Sequence, residues 1–321
     1  MQNLDEVKAN LAFTCVHEQD HLPKLDAEAD QLYRYARYIQ KNNQLQEDVS
    51  VYPELERYYR IATAHGHYKA NLELRQMIGK GQAWTADPVK ETLDLTQELI
   101  DRGIPGGYYD MARYLEAGYG VKQDAELALR YYRKSADMGS PEGQYLVGDK
   151  LINIGGPQSE SFKVALQMWN CAAQQVHAKA SSMLGTNLRG DGKYKEAVHA
   201  FQLAVKAGDE TAAYVLSKAF VAKDNYDYLA LHNDPERSHR YREISDILGR
   251  YSYAHPTVPE LDDIVPLPPA KLPPWDGKIQ WLKDHEANIA PPKPSEALLE
   301  KLAKAKGLDP KTGRPLGAEH S

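Results

Sequence analysis

The sequence predicts an all-α chain, a solenoid of about six helix-turn-helix repeats followed by a Pro-rich C-terminal extension. Three observations predict it. Glycine recurs at Gly66, Gly103, Gly139, Gly208 and Gly249, with Val176 filling the wide gap, at steps of 37, 36, 37, 32 and 41 residues. An apolar residue stands eight places before each mark (Tyr58, Leu95, Tyr131, Met168, Ala200, Tyr241), and a small one four places after the first five (Ala70, Gly107, Gly143, Ala180, Ala212). Twelve of the 19 prolines fall within residues 255–321. A fixed period of this length marks stacked supersecondary units, each unable to bury its own apolar face alone.

The stretch Gly107–Gly139 shows one whole unit. Helix A covers about 107–117, a Gly118-Tyr119-Gly120 loop follows, and Asp124 caps helix B, which runs on to Gly139. The glycine supplies the left-handed residue that closes helix B. The small residue four places later lets the next helix A approach closely. Residues 1–26 precede the first clear helix, 27–250 hold the repeats, and 251–321 form the extension. Proline cannot continue a helix interior, so the repeats stop near Gly249. Apolar Ile264, Val265, Leu267, Leu272, Trp275, Ile279, Trp281 and Leu282 predict a strap that caps the last repeat rather than a solvated linker. A short helix follows, with Ser295 as N-cap, a Leu298-Leu299-Leu302 stripe, and Lys301, Lys304 and Lys306 before Gly307.

Composition narrows the function. With 39 basic and 45 acidic residues the net charge is −6, which argues against a general nucleic-acid binder. Mean hydropathy is −0.62 and no stretch approaches 18 apolar residues, so no membrane span is expected. Tyr numbers 21 against Phe 4 and Trp 4, which suits a thin structure with much half-exposed surface. Cys15 and Cys171 allow at most one internal disulfide and read most simply as two unpaired thiols. No secretory apolar core opens the chain at Met1–Lys8, although a leader or lipid anchor can have been removed upstream of Met1.

Catalytic patterns are weak. His17-Glu18-Gln19-Asp20-His21 matches H-E-x-x-H, the pattern of a helical zinc hydrolase. Pro23 ends any helix within two residues, Asp20 is charged where such helices are apolar, and no third ligand follows at a characteristic spacing. Gly118-Tyr119-Gly120 lacks the strand and the Lys-Ser/Thr of a phosphate loop. The expectation is no enzyme, no metal and no cofactor.

The complete unit resembles the SEL-one-like repeat, a relative of the tetratricopeptide repeat. The matching residues are Gly107, Met111, Ala112, Gly118, Gly120, Val121, Asp124, Ala128, Tyr131, Tyr132, Lys134, Ser135, Ala136 and Gly139. The resemblance spans about 27–250, with degenerate copies around the central one. It implies a right-handed superhelix whose concave face is lined by the A helices. The register then places Tyr109, Arg113 and Glu116 inward. Equivalent positions are Tyr33, Arg37 and Gln40; Tyr145 and Asp149; Ser182, Thr186 and Arg189; and Tyr214 and Lys218. Tyr and Arg are the types that anchor protein interfaces, so these tyrosines and charges are the candidate contact residues. Packing on the neighbouring A helix is an equal alternative for the tyrosines. Arg37 and Arg113 are expected to be dispensable for the repeat core.

Three segments carry a narrower resemblance: LAFTCVHEQDHLP (11–23), PGGYYDMARYLEAGYGVKQD (105–124) and IVPLPPAKLPPWDG (264–277). They are similar to bacterial SEL-one-like proteins encoded beside type VI secretion phospholipase effectors. That implies an immunity protein, monomeric when free, that binds and neutralises a phospholipase D-type lipase toxin by occlusion in the periplasm. A cytoplasmic adaptor built on the same repeats is the alternative.

Overall fold

The computed structural model describes residues 11–222 and 227–317. Residues Met1–Lys8, read above for a leader core, lie outside the described residues. Among the described residues the secondary structure is helical, and the sole β feature is an isolated bridge between Leu308 and Pro315.

Six helix pairs follow one another: α1 Ala27–Asn43 with α2 Tyr52–Ala64, α3 Tyr68–Gly79 with α4 Pro88–Asp101, α5 Pro105–Ala117 with α6 Ala125–Asp137, α7 Pro141–Ile152 with α8 Glu160–Gln174, α9 Ala178–Gly190 with α10 Tyr194–Lys206, and α11 Glu210–Ala219 with α12 Pro235–Arg250. Three short helices complete the chain: α13 Leu261–Ile264, α14 Gln280–Ala287 and α15 Glu296–Ala305. The expected unit is observed: α5 ends at Gly118, and Asp124 accepts from the Leu127 backbone N–H at 2.9 Å to cap α6.

The repeat marks do what their spacing implies. Gly66, Gly103, Gly139 and Gly208 have φ of 77°, 69°, 99° and 93°, the left-handed region where a side chain is penalised. Val176 adopts the same conformation, with φ 63°, although it is β-branched. Gly249 breaks the pattern: it lies inside α12. Its backbone is helical there, and its missing side chain instead leaves room for Glu210, whose Cδ would lie 2.8 Å from an added Cβ. The small residues four places on also act as expected. A Cβ on Gly107 would meet the Leu99 Cβ at 2.7 Å, and one on Gly143 the Ala136 N at 2.8 Å.

After four of the six marks the next residue caps the following helix with its side chain, a feature that the repeat spacing does not announce. His67, Ser140, His177 and Asp209 each accept from the backbone N–H three residues on, the N-cap bond that satisfies an otherwise orphaned donor.

The chain divides into two compact units, each assembled from two stretches of sequence. The first comprises His21–Ala128 and Ile289–Ser321, the second Met1–Asp20 and Leu129–Asn288. In the first, Leu32, Leu55, Tyr58, Tyr59 and Leu74 form a core that takes in Leu299, Leu302 and Ala303 of α15. The amphipathic C-terminal helix therefore covers the first helix pair. Arg314, farther along, reaches Glu56 at 2.9 Å, and Glu56 also accepts from Arg60 at 2.7 Å.

In the second unit the Pro-rich segment lies on the last repeats. Val258, Leu261, Ile264, Val265, Ile279 and Leu282 join Phe220, Tyr241 and Leu248 in one core. Proline-rich backbone has no ladder partner for its carbonyls, so side chains supply the donors. Arg237 Nε donates to the Pro266 carbonyl at 3.0 Å, Arg240 to that of Ile264 at 2.8 Å, and Gln202 to that of Val265 at 3.3 Å. Trp275 and Trp281 are half-buried against this core, and the Arg240 guanidinium lies 5.8 Å from the Trp275 ring centre.

The cysteines require a correction. Cys15 and Cys171 form a disulfide with Cα atoms 5.6 Å apart across 156 residues of sequence. Two isolated cysteines give no local signal of pairing. What brings them together is segment 11–20, whose main chain is held by Arg133, Gln144 and Gln175.

Candidate functional site: the inner positions of the A helices

In the first unit, the inward register residues are tied to one another. Tyr33 is half-buried, its ring centre 4.4 Å from that of His67 and 6.2 Å from that of Tyr59, and burial pushes its phenol pKa up. Arg37 donates to Gln40 at 2.6 Å and pairs with Glu73 at 3.0 Å, and Gln40 donates to Glu73 at 3.0 Å. Arg37 is therefore not the dispensable surface group expected above: Glu73, only 9% exposed, takes its charge partner from it.

The polar chain continues on α3 and α5. Arg75 pairs with Asp110 at 2.7 Å, donates to Asn71 at 2.9 Å and to the Tyr114 hydroxyl at 3.2 Å. None of these was singled out from the sequence. They stand beside the A-helix register positions and not on them: in the second copy the register falls on Leu72, which is 42% exposed, and Gln76, next to Asn71 and Arg75, and in the third on Tyr109 and Arg113, next to Asp110 and Tyr114. Tyr109 is half-buried, while Arg113 and Glu116 are exposed on α5.

In the second unit, the Tyr145 ring stacks on His177 at 4.9 Å between centres. Burial, and then the nearby Asp149 carboxylate, push the Tyr145 phenol pKa up. Asp149 itself is exposed. Ser182 donates to Asp209, and Thr186 to the Ser182 carbonyl at 2.9 Å. Tyr214 is different. It is 43% exposed, with Lys218 Nζ 5.5 Å and the Arg242 guanidinium 4.7 Å from its ring centre. Arg242 belongs to a B helix, which the A-helix register could not point to. A tyrosine face flanked by two cations is a preformed aromatic and positive contact. It combines apolar area with the residue types that dominate interface energetics.

The H-E-x-x-H pattern is not helical: residues Glu18–Asp20 form a single 3₁₀ turn, so His17 and His21 do not sit one α-turn apart.

Comparison with known proteins places these surfaces in context. Three solved structures from Pseudomonas aeruginosa match at 27–28% identity over 80% of this chain. The immunity protein Pa5087 matches at 27% with a TM-score of 0.58, over 95% of its own chain. The immunity protein PA5088 matches at 28% with a TM-score of 0.60, over 94% of its chain. PA5086 matches at 28% with a TM-score of 0.60, over 95% of its chain. The chain is similar in fold to Pseudomonas immunity proteins. A curated relative is the uncharacterized protein NMB1327 of Neisseria meningitidis, 28% identical over 209 residues, which are 64% of this chain. The match spans 42% of that relative's length. Residues 212–316, from α11 through the strap and α15, match a domain of unknown function, DUF6396.

Proposed function

We propose that this chain is an immunity protein that binds a toxin and neutralises it by occlusion. The carrying observation is the match to two named immunity proteins at TM-scores of 0.58 and 0.60 over nearly their whole chains. The segment resemblance at 11–23, 105–124 and 264–277 points further, to a type VI secretion lipase of the phospholipase D type as the toxin. The periplasm is the compartment in which such a lipase acts. The Cys15–Cys171 disulfide supports that placement, since such bonds persist in oxidising compartments and are rare in the cytosol. The chain would bind as a monomer, through a few aromatic and cationic anchors surrounded by near-neutral contacts.

Two exposed register candidates are the proposed anchors: Tyr214, flanked by the half-buried Lys218 and Arg242, in the second unit, and Arg113 in the first. Tyr33, Arg37 and Tyr145 serve the fold first, because each is engaged by a neighbouring helix.

The test is co-expression with the neighbouring lipase directed to the periplasm. Wild type is expected to protect the cells and to co-purify with the lipase. Tyr214→Ala with Arg242→Ala is expected to lose roughly 30-fold or more in affinity, about 2 kcal/mol, while melting near wild type. Full protection by that variant would move the contact to another face. Absence of binding and protection by wild type would overturn the immunity reading and favour an adaptor.

A further inference from the structure

Segment 11–20 is fastened to the second unit by more than its disulfide. Gln144 Nε2 donates to the Val16 carbonyl at 2.8 Å, and the Glu18 backbone N–H donates to Gln175 Oε1 at 2.7 Å. Arg133 donates to the Ala12 carbonyl at 2.6 Å. Gln175 is itself held, donating to the Gly139 carbonyl at 2.8 Å and to Gln144 at 3.0 Å. Gly139 clears the path for this segment: an added Cβ would lie 2.6 Å from the His17 carbonyl carbon. The main chain on both sides of Cys15 and His17 is thus positioned by side chains that do not depend on the sulfur–sulfur bond.

That matters because of what the segment carries. The Cys15 and Cys171 sulfurs and a ring nitrogen of His17 all lie within 4.8 Å of one another. Cys15 is exposed, His17 half-buried and Cys171 fully buried. Two thiolates and an imidazole are a donor set suited to zinc, which binds sulfur at about 2.3 Å and nitrogen at about 2.0 Å. At those lengths tetrahedral ligand atoms stand about 3.5–3.8 Å apart, within the span that this cluster already holds. The sulfurs need only separate, and Cys15, on an exposed non-helical segment, is the one able to move.

We propose that Cys15, His17 and Cys171 form a zinc site when the disulfide is reduced. A dithiol supplies two electrons and two protons to the disulfide and leaves as its own cyclic disulfide, giving two cysteine thiols. Zinc then binds as both thiols release their protons to solvent, His17 contributes a neutral ring nitrogen, and a water completes the tetrahedron. The same segment is therefore clasped in either redox state, by a covalent bond when oxidised and by a metal when reduced. This inference is independent of the immunity reading.

The test uses the full-length protein, reduced and then freed of reductant without air, with zinc titrated against a chromophoric chelator. Reduced wild type is expected to take one equivalent and to regain much of the thermal stability lost on reduction. The oxidised protein is expected to take none and to show no zinc-dependent melting shift. His17→Ala is expected to weaken binding by more than about tenfold, a loss that even outer-shell partners produce. His21→Ala is expected to bind like wild type. Cobalt should give a thiolate charge-transfer band in the reduced wild type that Cys15→Ser lacks, a readout that does not depend on stability. The proposal is overturned if the reduced protein takes no more zinc than Cys15→Ser, or if His17→Ala, folded by circular dichroism, binds as tightly as wild type.

Discussion

His65 and Leu302 meet across 237 residues of sequence: the His65 Nε2 lies 2.9 Å from the Leu302 carbonyl oxygen, in the last turn of α15. The contact places the C-terminal helix at the end of α2, with Leu299 fully buried beside it. Leu299→Ala is expected to cost about 2–5 kcal/mol, the range for emptying a buried leucine site. Urea unfolding followed by circular dichroism measures it. A loss below 0.5 kcal/mol would mean that α15 is an ornament on the first unit.

Val176 stands where the other repeats place a left-handed glycine, and its side chain is 55% exposed, so little packing compensates for its backbone. Val176→Gly is expected to stabilise the protein by about 1 kcal/mol, as release of left-handed strain outweighs the greater entropy of unfolded glycine. A lower melting temperature would show that the valine methyl groups matter more than φ.

Reduction of the Cys15–Cys171 bond opens a loop of 156 residues. Loop-closure entropy sets a ceiling of about 5 kcal/mol on the loss, with about 2–4 kcal/mol typical. The Cys15→Ser, Cys171→Ser variant in metal-free buffer should unfold at correspondingly lower denaturant. Unchanged unfolding would show that the hydrogen bonds of Gln144, Gln175 and Arg133 hold the segment unaided.

Two histidine caps set a pH dependence. Burial holds the pKa values of His67 and His177 below their ordinary value of 6.5, against the raising influence of Asp30 on the first and Glu142 on the second. Each Nδ1 accepts a backbone N–H at 3.1 Å, which requires that nitrogen to be unprotonated. Both rings are neutral and their stabilisation is complete above about pH 6.5. As the pH falls below 6.5 the unfolded chain takes up protons first, and stability declines toward the lower folded pKa. Asparagine can cap without titrating, so His67→Asn with His177→Asn should flatten the melting profile between pH 7 and 5. An unchanged slope would assign the acid sensitivity to other groups.

The two register arginines should separate. Arg113→Ala is expected to stay within about 0.5 kcal/mol of wild type, as for ordinary surface changes. Arg37→Ala leaves Glu73 with Gln40 alone, at an expected cost of about 1 kcal/mol, since the Arg37 side chain is itself about a third exposed. Equal stabilities for the two variants would show that the Arg37–Glu73 pair contributes nothing.

Repeat spacing made the helix pairs legible because a left-handed glycine and a close-approach small residue are local demands of the backbone. Gly107 and Gly139 announce them without any knowledge of partners. The caps at His67, Ser140, His177 and Asp209 are not legible from the repeat marks, which locate the end of one helix and the close approach of the next but not the residue between them, and histidine is in addition an unusual cap type. The apolar stripe of Leu298, Leu299 and Leu302 was readable, but not its destination, since amphipathicity says that a face is covered and not by what. The same holds for Cys15 and Cys171. For the proposed contact surface, the register points to Tyr214 and Lys218, but Arg242 reaches the Tyr214 ring from another helix and Arg37 turns to a neighbour. Such choices depend on the packing of helices that spacing alone does not orient.

The first unit holds its opening helices and its closing helix in one core, and a ribosome delivers these at opposite ends of synthesis. At about 5–20 residues per second, the 216 residues between the end of α3 and the start of α15 take roughly 10–40 s to emerge. For that interval Leu32, Leu55 and Tyr58 lack their cover, and Cys15 waits likewise for Cys171. The first unit cannot finish folding before α15 leaves the exit tunnel. That delay favours any polypeptide handed to a translocase unfolded, and it makes the early helices clients for holding chaperones when delivery lags.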